Sequence, residues 1–235
     1  MRIILSLLLM LNVTVVFANT AIETETAQIG KKREFSFSQS VEFGRSHDGT
    51  SGGTLTQFEY AISDRAEILI EPFFYQWESP NGEQKMSGVG DLEITPSYMV
   101  VVEDGWVPAV LVATKVKVPT GSKDVGGTKK YDYFPYLIFG QHYGDWTFNA
   151  NIGVNFAHPA EGGAVERTVV WDLETERELA PNWTGFYEVF SAEDGVKTVS
   201  TAVQYQFTKH FNAFFAISYN KDHEVIVRPG LNIEF

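Results

Sequence analysis

The stretch Trp146-Thr-Phe-Asn-Ala-Asn-Ile-Gly-Val-Asn-Phe156 sets an apolar side chain at every even position and Thr147, Asn149, Asn151, Gly153 and Asn155 between them. A repeat of two is the signature of a strand with one apolar and one polar face. The pattern extends in both directions. Leu92, Ile94, Pro96, Tyr98, Val100 and Val102 oppose Asp91, Glu93, Thr95 and Ser97, and Val110, Val112, Val116 and Val118 oppose Lys115 and Lys117. Val225, Val227, Leu231, Ile233 and Phe235 oppose Glu224, Arg228, Asn232 and Glu234. From Arg33 to the C-terminus this periodicity predicts about twelve strands.

Composition agrees with amphipathic strands. Of 235 residues 44% are apolar and 14% aromatic, with 18 Phe, yet the mean hydropathy of −0.11 is too polar for a bundle of membrane helices. The net charge of −12 argues against nucleic acid as a partner, since phosphate binding needs a basic surface. The absence of cysteine removes disulfides, zinc-thiolate sites and a cysteine nucleophile.

Connections decide between a sandwich and a barrel. Long polar stretches at Arg45–Gly53, Glu78–Gly88, Thr120–Lys130 and His158–Glu166 alternate with tight turns at Ser63–Arg65, Glu103–Gly105, Tyr143–Asp145, Ala180–Asn182 and Thr208–His210. Long loops on one rim and short turns on the other mark an even-stranded outer-membrane barrel. Tyr131, Tyr133, Tyr143, Trp106, Trp146 and Trp183 fall near strand ends, where aromatic girdles meet lipid headgroups. The expected fold is all-β: a closed antiparallel transmembrane β-barrel in the outer membrane of a Gram-negative bacterium, with outer-membrane lipid around it. Pro72, Pro96, Pro108, Pro135 and Pro229 interrupt candidate strands and are expected to mark bulges.

Residues 1–18 carry Arg2, an apolar run and Ala18, which together predict a secretory signal cut before Asn19. Residues 19–32 form a polar N-terminal segment, a periplasmic tail or an inward plug, and 33–235 form the barrel. Phe235 ends an alternating strand and fits the terminal aromatic signal read by the barrel-assembly machinery.

On the polar face, Glu67, Glu71, Asp91, Glu93, Asp172, Glu174 and Glu188 are expected to line the lumen with Lys115, Lys117 and Arg228, joined by Asn149 and Asn151. Lys115 and Lys117 lie on the strand after the one bearing Asp91 and Glu93, so cross-strand pairing sets opposite charges together. These residues form either a constriction selecting small-molecule solutes by charge or a structural ion-pair network filling the barrel. Phe73, Tyr75, Trp77, Phe134 and Tyr136 add aromatics to the inner face, Tyr75 and Trp77 fitting a girdle as well.

No catalytic, metal or cofactor constellation is expected. G-x-S-x-G is missing, and His47, His142, His158, His210 and His223 stand in loops, turns or strand ends. Gly52-Gly53, Gly126-Gly127 and Gly162-Gly163 lack the Lys-Ser/Thr of a phosphate cradle and read as loop tips. The expectation is a non-enzymatic, porin-like transporter. The rival is a filled barrel serving as an enzyme or surface-interaction protein, with His47 and His158 meeting a carboxylate at the outer rim.

Gly88-Val-Gly-Asp91-Leu92-Glu93, then Pro108-Ala-Val-Leu-Val-Ala-Thr-Lys-Val-Lys-Val-Pro-Thr-Gly121, then Tyr131-Asp132-Tyr133 resemble an outer-membrane family labelled "putative meta-pathway of phenol degradation". Its pattern runs G-x-G-D-L, P-A-L-A near V-K-L-P-T-G, then D-Y. The resemblance implies a β-barrel passing small solutes, hydrophobic or aromatic compounds among them. Gly88, Gly90 and Asp91 are expected to pack against Pro119-Thr120-Gly121 at the outer rim and to set the third outer loop over the mouth.

Overall fold

The computed structural model describes residues 24–81, 85–123, 128–159, 163–192 and 195–235; the segment read as a signal, residues 1–18, lies outside them. Among the described residues the strands are β1 (Phe35–Arg45), β2 (Gly49–Ser63), β3 (Ala66–Pro80), β4 (Met86–Val89), β5 (Leu92–Val101), β6 (Ala109–Val118), β7 (Asp132–Tyr143), β8 (Trp146–Ala157), β9 (Glu166–Ala180), β10 (Trp183–Ala192), β11 (Gly195–Thr208), β12 (Phe211–Asn220) and β13 (Val225–Glu234). Each pairs antiparallel with its chain neighbour except β4 and β5, which both pair with β3. They are one stave interrupted at Gly90-Asp91, and counted so the wall has the expected twelve staves.

β1 pairs with β13 from Ser36↔Glu234 to Arg45↔Val225 and closes the ring. Phe35 and Phe235 exchange backbone hydrogen bonds, at 3.3 Å and 2.8 Å, and their rings lie 5.9 Å apart. Closure leaves no strand edge unpaired in lipid.

The burial pattern is the inverse of a soluble protein's. Ile152, Leu173, Val199, Phe215 and Ile217 are exposed on the outer face, whereas Glu71, Asp91, Asp172, Glu188, Asn212 and Asn232 are buried inside. Aromatics gather at the short-turn rim: Trp106 against Tyr143, Trp183 against Tyr205, and Phe207 against Phe211. Apolar side chains toward lipid and polar ones toward the lumen follow from the alternation of the strands.

The structure corrects four local readings. Arg45–Gly53 is no long loop: β2 begins at Gly49, and Gly52 and Gly53 pair with Phe43 and Glu42. A Cβ on Gly52 would lie 2.7 Å from the Trp77 ring, so this glycine makes room for an aromatic and is not a loop tip. Pro108 precedes β6 instead of interrupting it.

The fourth correction concerns Tyr75 and Trp77. Thr56 pairs with Phe73 but Phe58 pairs with Ile70, so Gln57 faces both Glu71 and Pro72. This bulge, at a proline unable to donate to the ladder, reverses the facing of the rest of β3. Tyr75 is therefore exposed outside, and Trp77 holds the Lys85 ammonium 4.7 Å above its ring. The side chain of Phe73 lies outside those described. Phe134 and Tyr136 face inward and stack at 4.7 Å.

Candidate functional site

The twelve residues singled out on the polar face lie on the inner wall, and they divide into separate groups. On β3, β5 and β6, Glu71 pairs across the ladder with Glu93. Lys115 sits between them, its Nζ 3.4 Å from Glu71 and 3.3 Å from Glu93. Lys117 lies 3.5 Å from Asp91 and 3.8 Å from Asp132. Two carboxylates side by side in a half-buried wall need a shared cation, and the residue after the next on the neighbouring strand supplies it. Glu67 stands toward the short-turn rim and accepts a hydrogen bond from Ser97 at 3.1 Å. Arg228, on β13, is ion-paired with Glu42 across the closing seam.

The second group lies on β8 to β10. Asn149 donates to Glu174 at 3.1 Å and Glu176 at 3.0 Å. Asn151 pairs across the ladder with Asp172, and Glu188 with Glu174. The sequence reading omitted Glu176, Glu42 and Asp132 from the predicted constriction. Glu176 shares its face with Asp172 and Glu174, so extending the alternation one step further would have found it.

The glycine corner forms as the spacing predicts. Leu92 N–H donates to Thr120 Oγ1 at 2.8 Å, Gly121 N–H to Asp91 Oδ1 at 2.5 Å and Ser122 N–H to Val89 O at 2.8 Å. Lys129 Nζ donates to the Gly121 carbonyl. The third outer loop thereby bridges the break between β4 and β5, with residues 124–127 outside the described part. His158 joins this rim through its backbone N–H and Nδ1, both 2.9 Å from Asp132 Oδ1. His47 instead is fully exposed beside Asp48, so the two histidines hold different carboxylates.

Periodicity left open the place of the polar N-terminal segment. Its described part, from Thr24, runs inside the barrel. At the short-turn rim Arg33 N–H donates to Ala61 O at 2.7 Å and Lys32 N–H to Asp64 at 3.0 Å. Further in, Ala27 N–H donates to Asn149 Oδ1 at 3.3 Å and Thr24 N–H to Glu188 Oε2 at 2.9 Å. Ala27 is buried among Ala109, Leu111, Ala113, Tyr136 and Ile138, with Ile29 beside it. Gly140 permits the approach, because a Cβ there would stand 2.5 Å from that of Ala27. Between the segment and β1, β2, β3, β5 and β13 remains a polar cavity lined by Glu25, Gln28, Glu59, Glu67, Thr95 and Glu234, among others.

A closed barrel with a charged interior and an inserted N-terminal segment can hold or pass small polar species. The family model described as "Putative MetA-pathway of phenol degradation" matches residues 13–235. The fold is similar to the COG4313 outer membrane channel from Pseudomonas putida F1, with a TM-score of 0.72 and 11% identity over 92% of this chain and 100% of that one. It is also similar to the KdgM porin in complex with disordered oligogalacturonate, with a TM-score of 0.61 and 15% identity over 85% of this chain and 99% of that one. The NanC porin follows at a TM-score of 0.57 and 11% identity, over 83% of this chain and 98% of that one. No curated protein sequence matches this chain. These solved structures are outer-membrane porins and channels, and the chain has their fold.

Proposed function

We take as premise that the chain belongs to this phenol-degradation family, and we propose that it is a passive outer-membrane channel for small solutes, without enzymatic activity. The observation that carries the reading is the lumen wall itself. Lys115 and Lys117 are held on the inside by Glu71, Glu93, Asp91 and Asp132, where a barrel with no aqueous interior would be served by apolar packing. Those residues, with Glu67, Asn149, Asn151, Asp172, Glu188 and Arg228, form the selecting surface. Acidic groups outnumber basic ones among them, so cations and neutral solutes pass in preference to anions. The Phe134–Tyr136 stack and the small apolar floor under Ala27 give hydrophobic or aromatic solutes a place to touch. The N-terminal segment narrows the path in the resting state. Residues 1–18 act as a removable secretory signal, and Phe235 is the contact for the assembly machinery.

Single-channel conductance of the refolded barrel in planar bilayers tests the reading. A steady conductance whose ion selectivity shifts in Lys115→Ala and Glu93→Ala supports it. A folded barrel silent in every variant, including one lacking the N-terminal segment, overturns it.

A further inference from the structure

On the outside of the wall, at the outer rim, β7, β8 and β9 frame a groove of about 450 Å³, the size of a small-ligand site. Its upper end is polar and is lined by Tyr131, His158 and Arg167. Its lower end is apolar, where Tyr133, Phe156 and Pro135 lead down to Thr114 on β6. The pairings account for the hollow. Tyr133 pairs with Phe156 and Tyr136 with Gly153, but the pairs between them are missing, without a change of register. Pro135 stands in that gap and has no N–H to give to β8.

The upper end carries positive charge. Arg167 pairs with Phe156 across the ladder and lays its guanidinium 5.6 Å from the centre of that ring. It is exposed, and among the described residues no carboxylate forms an ion pair with it. Asp132, the carboxylate that reaches this end of the groove, already holds Lys117 and His158. Lys130, next to Tyr131, is exposed as well. A chain of net charge −12 thus turns a cationic corner outward, toward the headgroups.

A guanidinium fork matches phosphate oxygens with parallel charge-assisted hydrogen bonds, and the Tyr131 hydroxyl is a further donor beside it. Anion-binding groups at the rim with an apolar floor toward the midplane repeat the order of parts in a lipid of the outer leaflet. A free phosphate would leave the floor empty, and an apolar solute would leave Arg167 without an anion.

We propose that this groove binds a phosphorylated lipid of the outer leaflet, its phosphate on Arg167 and Tyr131 and one acyl chain laid over Tyr133, Phe156 and Pro135 to Thr114. The site is separate from the lumen and needs only that the barrel stands in the outer membrane.

The test is native mass spectrometry of the refolded chain starting at Asn19, titrated in non-ionic detergent with bisphosphorylated hexa-acyl lipid A. The same lipid stripped of its phosphates and inorganic phosphate are the comparison probes. One lipid A per barrel is expected, its binding weakened about tenfold by Arg167→Gln. Thr114→Phe, which fills the floor from the outer face, weakens it by a similar factor. The stripped lipid binds the parent no better than lipid A binds Arg167→Gln. Arg177→Gln is the matched control, because Arg177 lies 4.9 Å over Trp146 at the short-turn rim, away from the groove, and its loss should change nothing. Equal losses in the two arginine variants mean a general attraction to the barrel surface and overturn the proposal. Displacement of lipid A by millimolar inorganic phosphate, or full binding in Thr114→Phe, overturns it too. Folding is checked by heat-modifiable electrophoretic mobility; if Thr114→Phe does not fold, the two arginine variants decide alone. Conductance enters none of these measurements, so a silent barrel loses the channel reading and keeps the lipid site.

Discussion

The carboxylate of Asp91 accepts the backbone N–H of Gly121 at 2.5 Å, joining residues 30 apart in the chain across the one stave that is broken in two. A Cβ on Gly121 would stand 2.8 Å from Asp91 N, Asp91 Oδ1 and Gly90 C, two of which are backbone and cannot swing away. Gly121→Ala should therefore cost about 1–3 kcal/mol, the range for forcing atoms into a packed site. Thr120→Ala, which removes the acceptor for Leu92 N–H and the hydroxyl's own donation to Val118 O, should cost about 1 kcal/mol. Urea unfolding of the refolded barrel, followed by tryptophan fluorescence, measures both. An unchanged midpoint in Gly121→Ala means that the corner is loosely packed.

Replacing Lys115 by alanine strips Glu71 and Glu93 of the cation they share. The pore should become more cation-selective, read as a shift in reversal potential under a salt gradient. Stability should fall by about 1–3 kcal/mol, since two neighbouring carboxylates lose their charged partner. Lys115→Met, which keeps the side-chain volume, should shift selectivity in the same direction. A reversal potential that does not move in either variant would remove Lys115 from the permeation path.

Gly140 and Ala27 give a handle on the inserted segment. A side chain at position 140 competes for the space of the Ala27 methyl, so Gly140→Val should displace the segment while the strand itself persists. The displacement is read with a cysteine at position 27, unique in this chain. Maleimide labelling of Ala27→Cys should be slow in the parent barrel and fast with Gly140→Val. Equal rates would show that the segment does not depend on this contact.

The outer face can be checked with one residue. Ile152 is exposed on the wall, between Leu137 and Trp171 of the neighbouring strands. Ile152→Arg should cost about 2–4 kcal/mol in vesicles, the cost of arginine facing lipid near the midplane. Asn151→Ser, one residue away on the lumen side, should cost far less. Similar losses in the two would contradict the assigned facing.

How far these features could be read from the chain depends on how local their causes are. Strand facing is local, because pleating alone sends Asn149 inward and Ile152 outward, and the lumen positions of Lys115, Glu93 and Asp172 follow from parity. The glycine corner was legible too, as its residues have narrow steric uses. The reversed facing of Tyr75 was not. It depends on one extra residue at Glu71-Pro72, and a proline in a strand does not by itself fix a bulge, since Pro96, Pro135 and Pro229 sit in unbroken register. The pairing of Gly52 and Gly53 was hidden because glycine in isolation favours loops, and only the Trp77 ring packed against Gly52 makes it a strand residue. The path of the N-terminal segment is the least local of all. It rests on Gly140 and on acceptors at Asn149 and Glu188, more than 100 residues away, and no repeat in Thr24–Lys32 announces it.

The ring is sealed where Phe35 meets Phe235, residues 200 apart in the chain. The other staves pair with their neighbours in the chain, so β1 against β13 is the pairing that spans the greatest length of chain and bears the largest loop-closure cost. The inserted segment leaves the interior beside that same seam, through Arg33 and Ala61, so the strand that shuts the ring is also the one that continues from the segment it encloses. The seam that completes the pore thus also holds the exit of the pore's occupant.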